Sequence, residues 1–557
     1  MFRKIKLTSF LDSLIFPILL LLLIILIFIY VGSERTIYYW DHTIYWFKYI
    51  RLSQLAAKDI LHYGAILMQS LEVEEYNNLP LVLLTPFYLL WGASRKFYII
   101  SIVVTYGIMS FVSLLYLLKH ISSIKKFTPL ISIILFISFF LSVDVLGPVF
   151  RGYVDIGGLF FVFIILALYY SKPNWSGGIS GKSLFWVIVL SFLLALLPLY
   201  RRYFVNFVIS FLVSLPLLVL LWSRKQTLNI RAAGYWLLHY SLLYLFMGVF
   251  FLMLSGNLYQ SLLEYDYGHL YSAWRQDFSY LNATIRVIKD FGIIQSFFFV
   301  VCFIYALVSP RYRKIAVLLL SIIVLSTLLF WRIQYFDYHH YYLLLGPILI
   351  VQSLFLIDLL VSNRSRILII SIIIFICFNF SQSFHPLLSS KKIQVAGFPV
   401  FSGKKLPPLV RSDLPTLERM LADIYSVWKD GEIIYIGASS SFLSDDIVRN
   451  ACYLEYGFEF PFCNSILGST HIDSRDGFPL SMLPANFIVI TYPIQYHLSA
   501  DQQKTVAYVN SFIEKNLYKY QLYFLYTIDQ GIRVEVYKNI IPVQKRNIRD
   551  WDDLEDS

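Results

Sequence analysis

Three groups of polar residues stand out from an otherwise apolar chain. Asp41 and His42 lie in ERTIYYWDHTIYW, residues 34–46, among tyrosines and tryptophans. Asp155 ends RGYVD, with Arg151 one helical turn before it. Arg201 and Arg202 form the corner YRRY, and Arg332, His339 and His340 lie in RIQYFDYHHYY. A carboxylate beside apolar and aromatic surface has its pKa raised toward the range useful for a general base, so Asp41 is the first candidate and Glu34 a less favoured one. Guanidinium groups grip phosphate through paired donors, and histidine adds another, so the basic group suits a phosphate ligand. Plainer explanations exist for each: an aromatic belt around Asp41, a helix N-cap at Asp155, and contact of the arginines with phospholipid headgroups. The adjacent histidines could ligate a metal only weakly, because sequence neighbours seldom point at one ion.

The elements that must position these residues are membrane helices. The chain of 557 residues is 58% hydrophobic and 15% charged, with mean hydropathy +0.65, whereas soluble domains carry about 25% charged residues. The length test for a span, about 20 apolar residues, predicts eleven: near 13–31, 97–118, 127–143, 156–170, 184–199, 204–222, 235–254, 292–308, 315–331, 343–360 and 366–380. The run LPLVLLTPFYLLWG, 79–92, is short and holds Pro86, so it reads as a helix lying in the outer interface. MFRKIKLTSFLDS with its apolar run has no small-residue cleavage site and reads as a retained first helix.

Orientation follows from the excess of Lys and Arg on cytoplasmic loops. With the N-terminus inside, the inner loops carry Arg3, Lys4, Lys6, Lys119, Lys125, Lys126, Lys172, Lys182, Arg224, Lys225, Arg231, Arg311, Arg313, Lys314, Arg364 and Arg366, and no acid. The outer face then collects a long first loop (32–96), the loop 143–155, YRRY, the loop YDYGHLYSAWRQD (265–277) and RIQYFDYHHYY. Within the spans only His239 and Asp358 are ionisable candidates. A transporter usually buries charges at midplane and often uses repeats or broken helices; the sequence suggests none, which places the chemistry at the outer surface.

The net charge of +11 is spread over short loops, which makes nucleic acid an unlikely partner. From 381 the composition becomes that of a soluble domain. GEIIYIGASSS, SDDIVRNACYLEY, NFIVITYP, ADQQKTVAYVNSFIEKNL, YKYQLYFLYTI and GIRVEVYKNI alternate strand and helix and end in a strand pair, which predicts a small α/β domain over 381–557. GASSS is read as a plain strand-to-helix turn, and QKRNIRDWDDLEDS as a loose tail. Cys452 and Cys463 could pair there if this domain is extracytoplasmic.

The order of these features resembles the GT-C superfamily of integral-membrane glycosyltransferases, in the branch of protein mannosyltransferases and the lipid A aminoarabinose transferase (glycosyltransferase family 39-like). The matching residues are YYWDH at Asp41, LPLVLLTPFYLLWGASR, RGYVDIGG at Asp155, Arg201 and Arg202 where the family has a basic residue, and HHYYLLLGP at 339–347. It covers roughly residues 1–380. It departs at Asp41–His42, where the family has two adjacent acids, and this counts against a metal bridge in that loop.

The resemblance implies a GT-C-like polytopic helical catalytic domain (1–380) with an extracytoplasmic α/β domain behind it, in the plasma (inner) membrane. The implied reaction moves a sugar from a polyprenyl-phosphate donor to a glycan, lipid or protein acceptor, with inversion, at the outer face. Asp41 would be the base and Asp155 would help place the acceptor, while Arg201, Arg202, Arg332, His339 and His340 would hold the lipid phosphate. Further substrate contacts are expected from His42, Tyr45, Arg151, Tyr153 and His269. No cofactor is assigned, and a divalent ion is left open. The alternatives are a flippase or transporter, and a polymerase or ligase of lipid-linked polysaccharide.

Overall fold

The computed structural model describes residues 7–122, 124, 127–171, 175, 178–223, 230–256, 266–275, 278–362, 366–469 and 480–541. Of the residues assigned above to inner loops, Arg3, Lys4, Lys6, Lys125, Lys126, Lys172, Arg224, Lys225 and Arg364 lie outside this set, as does the charged tail from 544 onward. The chain forms two compact units. One comprises Met1–Ser33, Asp41–Asp266 and Asp277–Pro408, and the other Glu34–Trp40, Tyr267–Gln276 and Leu409–Ser557.

The first unit is helical. Seven single helices are long and apolar enough to cross a membrane among the described residues: Ile15–Gly32, Arg95–Ile121, Gly181–Tyr200, Arg231–Ser255, Arg313–Trp331, Tyr338–Ser362 and Arg366–Phe384. Ile156–Ser171 and Arg202–Pro216 are shorter apolar helices, and the two remaining stretches belong to bent pairs. Pro129–Phe140 and Val143–Phe150 meet at 53°, and Tyr280–Phe291 and Ile293–Val308 at 102°. The sequence reading of unbroken helices is corrected by these pairs. Gly292 makes the second break, with φ +83, where an added Cβ would lie 2.3 Å from the Phe401 backbone.

The first loop folds into Asp41–Lys58 and Ile60–Val73, and the Pro86 region is a 3-10 turn, Leu79–Leu81, followed by the seven-residue helix Thr85–Trp91. At 1.5 Å per residue that last helix is far too short to span. Its Leu89, Leu90 and Trp91 are exposed, as expected of a face meeting lipid.

Residues 381–408 pack with the helices. The Tyr30 hydroxyl donates to the Leu406 carbonyl at 2.7 Å, Arg151 Nη2 to the Pro407 carbonyl at 2.8 Å, and Lys404 Nζ meets Asp144 Oδ1 at 2.6 Å. A two-residue hairpin, β1 (Gln394–Val395) and β2 (Phe398–Pro399), lies in this segment.

The second unit is a five-stranded sheet in the order β4-β3-β5-β7-β6, with β3 Ile434–Ile436, β4 Ile466–Gly468, β5 Phe487–Tyr492, β6 Tyr520–Ile528 and β7 Ile532–Asn539. Strands β3, β4 and β5 are parallel; β7 pairs antiparallel with β5 and β6. Side chains alternate across the strands. Ile434, Ile436, Phe487 and Val489 pack on helices Leu414–Val427 and Asp445–Tyr456, while Tyr435, Ile488 and Ile490 pack on helix Lys504–Lys515. The segment 34–40 is part of this unit: Ile37 joins its core, Arg35 N–H donates to the Leu409 carbonyl at 2.8 Å, and Asn450 Nδ2 donates to the Tyr38 carbonyl at 2.9 Å. Glu34 accepts from the Tyr38 hydroxyl at 2.5 Å and is thereby a brace of the fold. Cys452 and Cys463 are joined as a disulfide.

Candidate functional site

The centre of the helical unit's polar cluster is an ion pair between two of the singled-out residues. Arg201 follows the last residue of helix Gly181–Tyr200, and Asp155 precedes the first residue of helix Ile156–Ser171. Arg201 Nε meets Asp155 Oδ1 at 2.7 Å, with side-chain exposures of 7% and 0%. The approach of the two helix ends depends on Gly157, since a Cβ there would lie 2.1 Å from the Tyr200 hydroxyl oxygen. That hydroxyl donates to the Val154 carbonyl at 2.6 Å and fixes the corner from which Arg201 projects. Burial pushes the Asp155 carboxyl up and Arg201 pulls it back; the same contact holds the guanidinium firmly protonated.

Tyrosines complete the surround of Arg201. Nη1 donates to the Tyr45 hydroxyl at 2.8 Å, and the guanidinium lies 5.2 Å from the Tyr45 ring, 5.0 Å from Tyr76 and 6.0 Å from Tyr203. Cation–π contacts of this kind hold the faces of a planar cation whose edge is engaged at Nε by Asp155 and at Nη1 by Tyr45.

Asp41 is the first residue of helix Asp41–Lys58, where a carboxylate is favoured by the helix dipole. It is partly exposed and hydrogen-bonds with Tyr76. Burial raises its carboxyl to about 6; Arg201 opposes the rise, while Asp337 and Asp155 add to it. Asp41, Arg201 and Asp155 therefore share one electrostatic neighbourhood. A carboxyl titrating near 6 is charged at neutral pH and basic enough to accept a proton.

A histidine–tyrosine stack borders this group. His339, 4% exposed, stacks on Tyr153 at 4.4 Å, His42 meets the same tyrosine at 5.9 Å, and the Tyr203 hydroxyl donates to the His339 carbonyl at 3.1 Å. Among the described residues, His339 Nδ1 is buried with no hydrogen-bond partner. His340 accepts from the Asp337 backbone N–H at 3.2 Å through Nδ1, which leaves its proton on Nε2. Burial, together with Arg151 and Arg95, lowers His42 to about 3, so His42 is neutral and does not serve as a cation.

The remaining candidates are dispersed. Arg202 pairs with Glu75 at 2.6 Å in a half-buried contact. Arg151 is held by Pro407, as described above. Arg332 is exposed, with no ion pair among the described residues, and His269 belongs to the other unit and is exposed. No three His, Cys, Asp or Glu side chains among the described residues are grouped so as to hold a metal ion.

Several members were missed in the sequence. Tyr76 and Glu75 come from EVEEYNN, whose acids also supply Glu74 to Lys48. An acidic run in a chain so poor in charge was the available signal. Arg95, 6% exposed, donates to the His42 carbonyl at 2.7 Å and lies over Trp46 and Tyr98. A second buried pair, Asp144–Lys404, has Gln295 Nε2 on its other carboxylate oxygen at 3.0 Å and the Tyr341 ring 3.6 Å from the ammonium.

No protein-family model matches the sequence, and no curated protein matches it. Among solved structures the chain is similar to the crystal structure of ArnT from Cupriavidus metallidurans bound to undecaprenyl phosphate. The identity is 10% and the TM-score 0.46, over 95% of this chain and 99% of that one. No residue role is carried across at that distance, and the assignments rest on the geometry above.

Proposed function

We propose that the chain is a membrane glycosyltransferase that moves a sugar from a polyprenyl-phosphate donor to an acceptor hydroxyl or phosphate at the extracytoplasmic face. The observation that carries the reading is the grouping of Asp41, at the start of its helix and bonded with Tyr76, with a buried guanidinium held by Asp155 and three tyrosines; burial raises the Asp41 carboxyl. Asp41 removes the acceptor proton as the acceptor oxygen attacks the anomeric carbon. The bond from that carbon to the phosphate oxygen breaks, its electron pair leaves with the lipid phosphate, and the anomeric centre inverts.

Arg201 is the electrostatic partner of the departing phosphate, oriented before the reaction by Asp155 and Tyr45, so that no reorganisation is needed as charge develops. Asp155 is thus a positioning residue for Arg201. Arg202 and His339 stand as secondary donors to the phosphate. Transfer needs no acid at the leaving group, because phosphate departs readily as an anion.

The test is incubation of purified full-length protein with a panel of polyprenyl-phosphate sugars and candidate acceptors, following release of the free lipid phosphate. Asp41→Asn should abolish turnover while donor still binds, and Arg201→Gln should weaken donor binding. An Asp41→Asn enzyme with normal turnover would remove the mechanism.

A further inference from the structure

The sheet unit carries a second constellation. Strands β3 and β5 are parallel neighbours, but their continuations run opposite ways: β3 leads through helix Asp445–Tyr456 to β4 on one side, and β5 through helix Lys504–Lys515 to β6 and β7 on the other. The carboxyl ends of β3 and β5 therefore mark the topological switch point, where open α/β sheets hold ligands.

The two loops that leave it are tied together. Ser439 N–H donates to the Gln495 carbonyl at 2.9 Å, the Ser440 hydroxyl to Gln495 Oε1 at 3.0 Å, and Gln503 Nε2 to the Ser439 hydroxyl at 3.1 Å. His497 N–H donates to Gln503 Oε1 at 2.6 Å, which fixes the histidine at the rim.

Against that histidine stand two tryptophans from remote parts of the chain. The Trp40 ring lies 3.9 Å from His497 and the Trp274 ring 5.0 Å from it, and all three are half-buried. Gln502 Nε2 donates to the Ala273 carbonyl at 2.7 Å, which ties the Trp274 segment to the same loop. Trp40 has φ +47, in the left-handed region a bulky residue seldom adopts, and its N–H donates to the Asp446 carboxylate. Backbone strain of this kind persists where the surround enforces it, and it concentrates at ligand sites.

We infer that Trp40, Trp274 and His497 form a sugar-binding platform at the switch point of the sheet unit, and that its ligand is a neutral glycan. The electron-rich faces of aromatic rings attract the weakly positive C–H face of a pyranose, while the buried, mutually bonded Ser439, Ser440 and Gln503 hold the loop that carries His497. Burial holds His497 near 4, so this edge of the platform is uncharged at neutral pH and does not favour phosphate. The assignment of the bound glycan as acceptor rests on the transferase reading above; the existence of the platform does not.

The experiment uses full-length protein in lipid nanodiscs and unbranched tetrasaccharides of glucose, mannose, galactose and N-acetylglucosamine, read by saturation-transfer NMR. At least one tetrasaccharide should bind. Trp274→Ala and Trp40→Ala should each weaken it about tenfold, the equivalent of ~1.4 kcal/mol, with partial recovery in Trp274→Phe. The remote exposed Tyr518→Ala should bind as the parent does. No binding by any tetrasaccharide, or binding unchanged in both tryptophan variants, overturns the platform. Release of free lipid phosphate is scored separately on the same preparation. Glycan binding without release retains the platform and removes the transferase, and release without binding does the reverse.

Discussion

If Asp41 is the base, the rate must follow its ionisation. A carboxyl titrating at about 6 is roughly a tenth ionised one pH unit below that value and roughly nine-tenths ionised one unit above it. The ratio kcat/KM for acceptor, which reports the free enzyme's essential groups, should therefore rise about tenfold between pH 5 and 7 and level off above. A phosphodiester donor and a hydroxyl acceptor have no group titrating in this window, so with a hydroxyl acceptor the limb belongs to the protein.

The electrostatic neighbours give the limb a direction that a purely structural Asp41 would lack. Arg201 is the strongest charge holding the carboxyl down, so Arg201→Gln should move the limb to higher pH. Asp155→Asn removes a like charge and releases Arg201 toward Asp41, so it should move the limb to lower pH. The assay is lipid-phosphate release at limiting acceptor across pH 4.5 to 8, with donor saturating for each variant. A flat profile, a limb in the ordinary carboxylate range near 4, or the two variants moving it in the reverse sense would refute the assignment.

Other perturbations follow from the same contacts. The Asp41 carboxyl is raised in the fold, so its charged form costs stability; the cost is present above the folded value and disappears as pH falls through the unfolded one. Asp41→Asn should thus raise the melting temperature in detergent at pH 7, by a gain of roughly 1–2 kcal/mol after discounting for exposure, and the gain should vanish near pH 4. Asp155→Asn leaves a buried guanidinium without its carboxylate and should cost about 3–5 kcal/mol. The double variant Asp155→Asn with Arg201→Gln should recover part of the melting temperature and none of the turnover. Replacing Cys452 and Cys463 by serine opens a loop of sequence separation 11, and should lower the sheet unit's stability by about 3 kcal/mol, measured by proteolysis of the full chain.

The fold was legible where the physics is one-dimensional. Apolar runs such as Ile15–Gly32 and Arg366–Phe384 announce themselves because lipid solvates the side chains directly and the backbone must bond within its own helix. Strand alternation in NFIVITYP and GIRVEVYKNI was equally plain, since each face of β5 and β7 meets a different layer. What escaped was decided by partners far away in sequence. The short strand β4 has only three residues, and ILG is read as a strand only once β3 offers its edge. Helix Leu414–Val427 sits in a stretch given no element, although its amphipathic spacing was there to be found. The 102° bend at Gly292 divides an amphipathic, charged helix from an apolar one, a break no hydropathy window resolves.

The site divides along the same line. Residue type and expected sidedness marked Asp41, Asp155 and Arg201 as candidates, because charges in so apolar a chain must be compensated. Their pairing was not readable: the contact of Arg201 with Asp155 spans 46 positions and depends on the tight packing of Tyr200 over Gly157. That contact also alters the chemistry assigned to each residue. In the proposed reaction a free Asp155 would be a second base candidate, whereas the Asp155 of this fold is fully buried with one carboxylate oxygen bound to the guanidinium it orients, and Asp41, partly exposed and hydrogen-bonded with Tyr76, is the carboxyl open to an acceptor. Two carboxylates of one neighbourhood thereby acquire separate roles through the guanidinium that stands nearer to one of them, and the distinction lies in three-dimensional distance.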